Sequence, residues 1–335
     1  MNGSLKHGNL AVFVPHIGCP HRCSFCDQRV ISGEEKAPTP QDVTALCQSA
    51  LECASDRRLE LAFFGGSFTA IDRDYMCALL DAAGALVGKG LCGIRLSTRP
   101  DAVGEEMLSL LKTYPVTAIE LGAQSMNDAV LQKNARGHTA QDVIDASARI
   151  RRFGFELGLQ MMLGLYGETE QDAYDTAKAL IACRPDTVRI YPALVLQGTA
   201  LARQLAAGTY NALTLEEGIQ RTARVMELFE AADIRIIRVG LHPSKALEQK
   251  LVAGPYHPAF RELCEGELML ARLMPLLSTV PKGHITVGVR PQDISRMTGQ
   301  QKRNLKTLVA RGYTARVVPC DTARPLHPAL LPDFE

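Results

Sequence analysis

Between residues 10 and 190 the chain alternates short apolar runs with helix-length amphipathic segments. That alternation restricts the fold more than any other feature of its 335 residues. Strand, helix, strand in repetition means a parallel sheet whose crossover connections are helices. Six strands are expected, at residues 11–14, 59–64, 93–97, 118–121, 155–161 and 187–191, and beyond them helices at 201–206 and 215–229 and a seventh strand at 234–239. Helices are expected between them near 39–54, where Pro40 suits a first turn, and at 73–87, 104–112, 139–153 and 168–183. Six β/α units make an α/β protein with a partial, TIM-like (β/α)6 barrel, in which ligands gather at the carboxyl ends of the strands.

Those strand ends carry chemistry. The first runs into Cys19-Pro20-His21-Arg22-Cys23-Ser24-Phe25-Cys26, which places three thiols in CxxxCxxC spacing on one tight loop. Three cysteines leave one iron of a [4Fe–4S] cluster without a protein ligand, and an open coordination position marks a catalytic metal site. The same residues permit two other readings: a dithiol pair of Cys23 and Cys26, or a Cys₃His zinc site completed by His16 or His21. The second strand runs into Phe64-Gly65-Gly66-Ser67-Phe68, where two glycines allow close approach of backbone to a ligand. The third ends in Ser97-Thr98-Arg99-Pro100-Asp101, the fourth in Gln124-Ser125, and the fifth carries Gln160. Polar groups placed there suit hydrogen bonds to a ribose or a carboxylate, or else brace the loops as buried amides.

The cysteine loop resembles that of the radical S-adenosylmethionine (radical SAM) superfamily. The resemblance implies an enzyme in which Cys19, Cys23 and Cys26 hold a [4Fe–4S] cluster and S-adenosylmethionine (SAM) chelates the free iron. An electron from the cluster cleaves SAM to a 5′-deoxyadenosyl radical that takes a hydrogen atom from substrate, so the cofactor carries the hard chemistry. Gly65, Gly66, Ser67, Ser97, Gln124 and Gln160 would then line SAM, and a reductant such as ferredoxin or flavodoxin would be a partner.

The resemblance narrows over residues 10 to 245. Ser97-Thr98-Arg99-Pro100-Asp101, Gly122-Ala123-Gln124-Ser125, Arg136-Gly137-His138-Thr139 and Ile190-Tyr191-Pro192-Ala193-Leu194-Val195, then Gly198-Thr199, are similar in order and spacing to the radical SAM core of the Elongator catalytic subunit. That family modifies wobble uridines of tRNA. This chain departs from it in its compact cysteine loop, in Arg189 where a lysine is usual, and in Ser97 where an acid is usual. No acetyltransferase domain is recognised after the core, so the chemistry is expected to differ downstream of the radical step. The compact loop and the Gln124-Ser125 turn also resemble oxygen-independent coproporphyrinogen oxidase, which keeps a porphyrin-like small molecule open as substrate. Arg99, Arg189 and Tyr191, with His138, are the groups expected near the substrate, since arginine forks suit carboxylate or phosphate and a tyrosine passes on a hydrogen atom; the other reading of Arg99 is a salt bridge bracing its loop, and of His138 a cap on the helix beginning at Thr139.

The C-terminal part has another texture. Residues 281–316 hold eight basic residues against Asp293 alone, although the whole chain is almost neutral at +1. Lys282, Arg290, Arg296, Lys302, Arg303, Lys306 and Arg311 are therefore the expected contacts to RNA, held through phosphate. The order strand 285–289, helix 292–297, Gly299-Gln300-Gln301-Lys302, helix 303–310 and strand 314–318 resembles a reduced KH-type module with lysine at its second loop glycine. A solvated basic face on a small appendage is the plainer reading of the same charges. The expected organisation is a core with helical extension at 1–245, a Pro/Gly/His-rich linker or lid at 246–280, and a basic α/β domain at 281–335. A zinc-dependent, non-catalytic RNA-binding protein is the alternative if the cysteine loop holds zinc. Ten cysteines without disulfide-like density, seven of them scattered singly, with neither a signal-peptide pattern nor an apolar run of about 18 residues, lead to the expectation of a cytoplasmic protein without membrane contact.

Overall fold

The computed structural model describes residues 6–14, 17–19, 22–34, 36–53 and 57–332. The chain runs β1 (Lys6–Val14), α1 (Gln28–Ser32), α2 (Pro40–Cys53), β2 (Arg57–Gly65), α3 (Arg73–Gly84), β3 (Leu91–Thr98), α4 (Glu105–Leu111) and β4 (Val116–Gln124). It continues through α5 (Asp128–Lys133), α6 (Ala140–Arg152), β5 (Glu156–Leu163), α7 (Glu170–Ala182), β6 (Thr187–Pro192), β7 (Val195–Leu196), α8 (Ala200–Ala206), α9 (Leu215–Ala231) and β8 (Arg235–Val239). Then come α10 (Lys245–Lys250), β9 (Leu251–Ala253), α11 (Phe260–Leu277), β10 (Gly283–Val289), α12 (Ile294–Thr298), α13 (Arg303–Ala310), β11 (Tyr313–Pro319) and β12 (Ala329–Leu331).

Seven strands form one sheet in the order β1-β2-β3-β4-β5-β6-β8, and every neighbouring pair is parallel. The six expected units are followed by the expected seventh strand, β8, which α9 carries back to the edge beside β6. One cavity is walled by residues of β1 and β8 at the two edges and of all five strands between, so the sheet curls into an open half-barrel.

Alternation along the strands separates the two faces. Val12, Leu61, Phe63, Ile94, Leu96, Ile119, Leu121, Leu157, Leu159, Val188 and Ile190 are buried in the main core with the apolar faces of the helices. Each such side chain contributes about 1.5–3 kcal/mol by burial. The other parity points inward and is charged. Arg95 Nε donates to Glu60 at 2.8 Å, its Nη2 to Glu156 at 2.9 Å, and its Nη1 lies 3.5 Å from Glu120. Glu120 in turn receives Arg189 through both Nε (2.6 Å) and Nη2 (3.0 Å). A Cβ on Gly158 would stand 2.6 Å from Glu120 Cγ, so this glycine leaves the room that the carboxylate occupies. All five of these inward charges lie within the expected strands, and the observed strands run a few residues further: β2 begins at Arg57, and β4 spans Val116–Gln124 instead of 118–121.

Residues 246–280 differ from the expected linker. They hold α10, β9, which pairs antiparallel with β7, and the 18-residue α11. Phe260, Cys264 and Leu268 of α11 belong to the barrel core, whereas Met269, Leu270, Leu273 and Leu277 join Ile285, Val287, Val289, Met297, Leu308 and Tyr313 in a second core. One helix is therefore shared by both units. The C-terminal module follows the expected strand-helix-helix-strand order, with β10 parallel to β11, and adds β12 antiparallel to β10. Its Gly299–Lys302 turn lies against α11, since the buried Asn304 donates to the carbonyls of Gly266 (2.9 Å) and Arg296 (3.3 Å). Among the described residues no helix is long and apolar enough to cross a membrane.

The inward charges make an unequal pair of tests. Glu120 is 1% exposed and serves two arginines, whereas Glu156 is 29% exposed. Glu120→Ala should lower the unfolding free energy by about 3–5 kcal/mol, because it strands buried cations. Glu156→Ala should cost about 1 kcal/mol or less. Urea unfolding followed by circular dichroism gives both values; equal losses would contradict the burial argument.

Candidate active site

The cysteine loop is fixed from three sides. Its approach is laced to the end of β2: Gly66 N–H donates to the Val14 carbonyl (2.8 Å) and Ser67 N–H to the Ile17 carbonyl (3.2 Å). This closeness requires glycine. A Cβ on Gly66 would lie 2.1 Å from Ile17 O, and one on Gly18, at φ +74°, would lie 2.4 Å from Ser67 O. On a second side the buried Asn134 receives the Ser24 hydroxyl (2.6 Å) and donates to the carbonyls of Val130 and Tyr166. On the third, Leu201 N–H at the start of α8 donates to the Ser24 carbonyl at 2.7 Å.

The three thiols share one cavity. Cys19, Cys23 and Cys26 wall a space of about 100 Å³ together with Arg22, Gly65, Gly66, Thr98, Arg99, Gly122 and Arg136. Arg136 Nη1 donates to Cys23 Sγ at 3.0 Å, its Nη2 to the Gly122 carbonyl, and Gln28 Nε2 approaches Cys26 Sγ at 3.4 Å. Donors aimed at sulfur, one of them a guanidinium, suit thiolates and the anionic group they would hold. Burial, followed by the neighbouring Cys23, pushes the Cys26 thiol up to about 12, so ligation to a cation would be what deprotonates it. Among the described residues no three of His, Cys, Asp and Glu are placed to hold a single metal ion. His16 and His21, expected to complete a zinc site, lie outside the described residues.

A second, larger cavity of about 380 Å³ adjoins the first, sharing Cys26, Gly65, Ser97, Gln124 and Gln160 with it. Most of the residues expected at SAM therefore stand between thiols and barrel interior. Gln160 Nε2 donates to Ser97 Oγ (3.1 Å) and to Glu120 (3.0 Å). Gln124 holds φ +67°, and its buried Oε1 has no partner among the described residues, which leaves an acceptor available to a ligand. Ser67 stands apart: it is fully buried, its hydroxyl bonds Thr98 Oγ1 (2.9 Å) and accepts from Arg99 N–H (3.2 Å), and it lines neither cavity.

The three expected catalytic residues divide. Arg189 and Tyr191 line the larger cavity; Arg189 lies over the Phe64 ring at 4.6 Å, and burial pushes the Tyr191 phenol up, so it keeps its O–H. Arg99 lies on the cysteine side, held by Asp101 through two bonds of 2.9 Å. His138 lines neither cavity; its Nε2 donates to the Ala123 carbonyl (3.2 Å), and burial followed by Arg136 pushes it down to about 4, so it is neutral. Arg136 and Glu120 were not expected at the site. Arg136 lay within the Arg-Gly-His-Thr motif with no role given to it, and Glu120 could have been found as a charge inside an apolar run.

Comparison with known proteins agrees with this geometry. The radical SAM superfamily model matches residues 13–180, and the model of the radical SAM C-terminal domain matches 185–269. An uncharacterised protein of Methanocaldococcus jannaschii is 28% identical over 63% of this chain and 69% of its own length. The tRNA uridine(34) acetyltransferase of the same organism is also 28% identical, over 63% of this chain and 47% of the enzyme. Human Elongator complex protein 3 is 29% identical over 67% of this chain and 39% of its own length. The chain thus spans about half the length, or less, of these two named relatives. Among solved structures, archaeal Elp3 of Methanocaldococcus infernus superposes with a TM-score of 0.62 at 20% identity over 82% of this chain and 63% of that one. Coproporphyrinogen III oxidase of Escherichia coli gives 0.50 at 14% identity, over 68% and 53% of the two chains, a likeness of fold alone. The family uses a [4Fe–4S] cluster and SAM, and three thiols around a cavity edged by unsatisfied polar atoms fit that pair. With half the chain matched by the family model and the cysteine loop in place, this protein belongs to the radical SAM superfamily of enzymes.

Proposed function

We propose that this chain modifies a base of tRNA by hydrogen-atom abstraction, with Cys19, Cys23 and Cys26 holding the cluster and Gly65, Gly66, Ser97, Gln124 and Gln160 bordering SAM. The cluster and SAM together supply the abstracting radical when bound. The protein's own residues seat the substrate and keep water from it. Phe13, Phe25, Phe64, Met162, Leu194 and Leu196 give the larger cavity an apolar wall, and the polar strip of Ser97, Gln160 and Arg189 runs along one side. Arg189 is fixed by Glu120, so its fork is pre-oriented, and we assign to neutral Tyr191, which lines the same cavity, the donation or relay of a hydrogen atom.

The observation that carries this reading is the direct continuity of the thiol cavity with an aromatic-walled cavity of about 380 Å³, a size suited to a single base withdrawn from its stack. Support from likeness comes from relatives whose names place them on tRNA uridine 34. The basic surface is smaller than its sequence count. Arg296 is paired with Glu265 (2.5 Å) and Asp293 (2.8 Å), and Arg303 with Glu216 and Glu267, so both hold the module to the barrel. Lys282, Lys302, Lys306 and Arg311 are exposed and form no ion pair among the described residues, and they are the cations we assign to RNA phosphate.

Loss of the gene should remove one modified nucleoside from bulk tRNA, seen by mass spectrometry of digests. Unchanged nucleosides under all growth conditions, with 5′-deoxyadenosine released only in the presence of metabolite extracts, would move the substrate to a small molecule. Cys23→Ala should abolish iron loading and SAM cleavage while leaving the circular dichroism spectrum essentially unchanged; retained cleavage would refute the cluster assignment. Replacing Lys302, Lys306 and Arg311 together by glutamine should weaken tRNA binding at low salt and reduce the slope of log Kd against log salt by about 1 per lost phosphate contact. An unaltered slope would show that tRNA does not bind through this face.

A further inference from the structure

The larger cavity holds a cation that the chemistry above does not use. Arg238 on the edge strand β8 and His242 in the loop after it both line that cavity and not the smaller one walled by the three thiols. Arg238 Nε donates to the Gly240 carbonyl at 2.9 Å, and its Nη2 lies 3.1 Å from His242 Nδ1. A guanidinium can only donate, so Nδ1 accepts and the imidazole carries its proton on Nε2. Arg238 Nη1 and His242 Nε2–H are the donors left over.

The charge balance around Arg238 is one-sided. The groups acting on it are Tyr191, Arg189 and Arg261, and no carboxylate is among them. Arg189 is neutralised by Glu120, and Arg261 by Glu265 at 2.7 Å. Arg238 is half-buried and has no acidic partner among the described residues. Burial acts against its charge, an unfavourable arrangement in the free protein that an anionic ligand would relieve. A planar fork beside an imidazole N–H matches the oxygens of a phosphate.

We propose that Arg238 and His242 form an anion subsite in the active-site cavity that takes a phosphate group of the substrate. Resting on the RNA reading, that group is the phosphodiester flanking the base under modification. The subsite holds that base within the larger cavity and outside the smaller one walled by the thiols.

Calorimetric titration of inorganic phosphate into the anaerobically reconstituted protein, at fixed ionic strength, should give saturable one-to-one binding. Arg238→Gln should weaken it tenfold or more, His242→Asn by a smaller factor, and Arg238→Lys should recover part of the loss, with iron content and circular dichroism confirming that each variant is folded. Uridine 5′-monophosphate should compete with phosphate and uridine should not. Absence of saturable phosphate binding, binding indifferent to Arg238→Gln in folded protein, or competition by uridine as strong as by its monophosphate would each overturn the subsite. Phosphate binding through Arg238 in a protein whose gene loss leaves tRNA nucleosides unchanged would uphold the subsite and sink the RNA reading, pointing to a phosphorylated small molecule. A lost nucleoside together with phosphate binding indifferent to Arg238 would do the reverse.

Discussion

The half-barrel depends on the buried carboxylate of Glu120. It lies on the concave face, where a fully closed barrel would place layers of branched apolar side chains, and it gathers Arg189, Arg95 and Gln160 around itself. A charge so deeply buried is tolerable only when each of its oxygens is engaged, and here both are. The consequence is positional. Arg189 and Gln160, which face the cavity, are held by a group that does not line it. Gly158 leaves space for that group on the neighbouring strand, so an apparently featureless glycine and a buried acid form one unit.

The cysteine loop obeys a similar economy of contacts. Gly65 and Gly66 look from sequence like residues that let a ligand approach backbone. In the fold Gly66 lets the chain leaving β1 press against the end of β2, where any side chain would meet Ile17 O. Asn134 and Leu201 hold Ser24 from the opposite direction. The three thiols are therefore oriented by backbone packing and by residues over a hundred positions away, and preorganisation of this kind is what lets a metal group bind without reordering its ligands.

Much of this was legible in the chain. The alternation of apolar runs and amphipathic segments identified the parallel sheet, and the punctuation at each strand end located the cavity mouth. Part of the rest escaped because apolar patterning reports the face that meets helices, so Glu60, Arg95 and Glu120, although within the expected strands, gave no sign of the ion-pair network they form on the other face. Residues 246–280 escaped for a related reason: prolines and glycines before Phe260 suggested a linker, whereas α11 that follows is apolar enough along its length to serve two cores. The basic count of the C-terminal module misled as well, because a sum of charges cannot tell Arg303, bound to Glu216 and Glu267, from Lys306 in solvent.

The shared helix has a bearing on substrate size. Glu265 on α11 receives Arg261 from its own helix and Arg296 from α12, and Arg303 reaches Glu216 on α9 and Glu267 on α11. Buried apolar residues at both ends of α11 add to these pairs, so the module is not a tethered appendage free to swing. Its exposed lysines keep a fixed relation to the barrel on which the thiol cavity opens. Under the RNA reading proposed above, a polymer would enter the cavity with one base and lie along this surface with its backbone, where a rigidly held row of cations meets phosphate at a fixed distance from the reacting base.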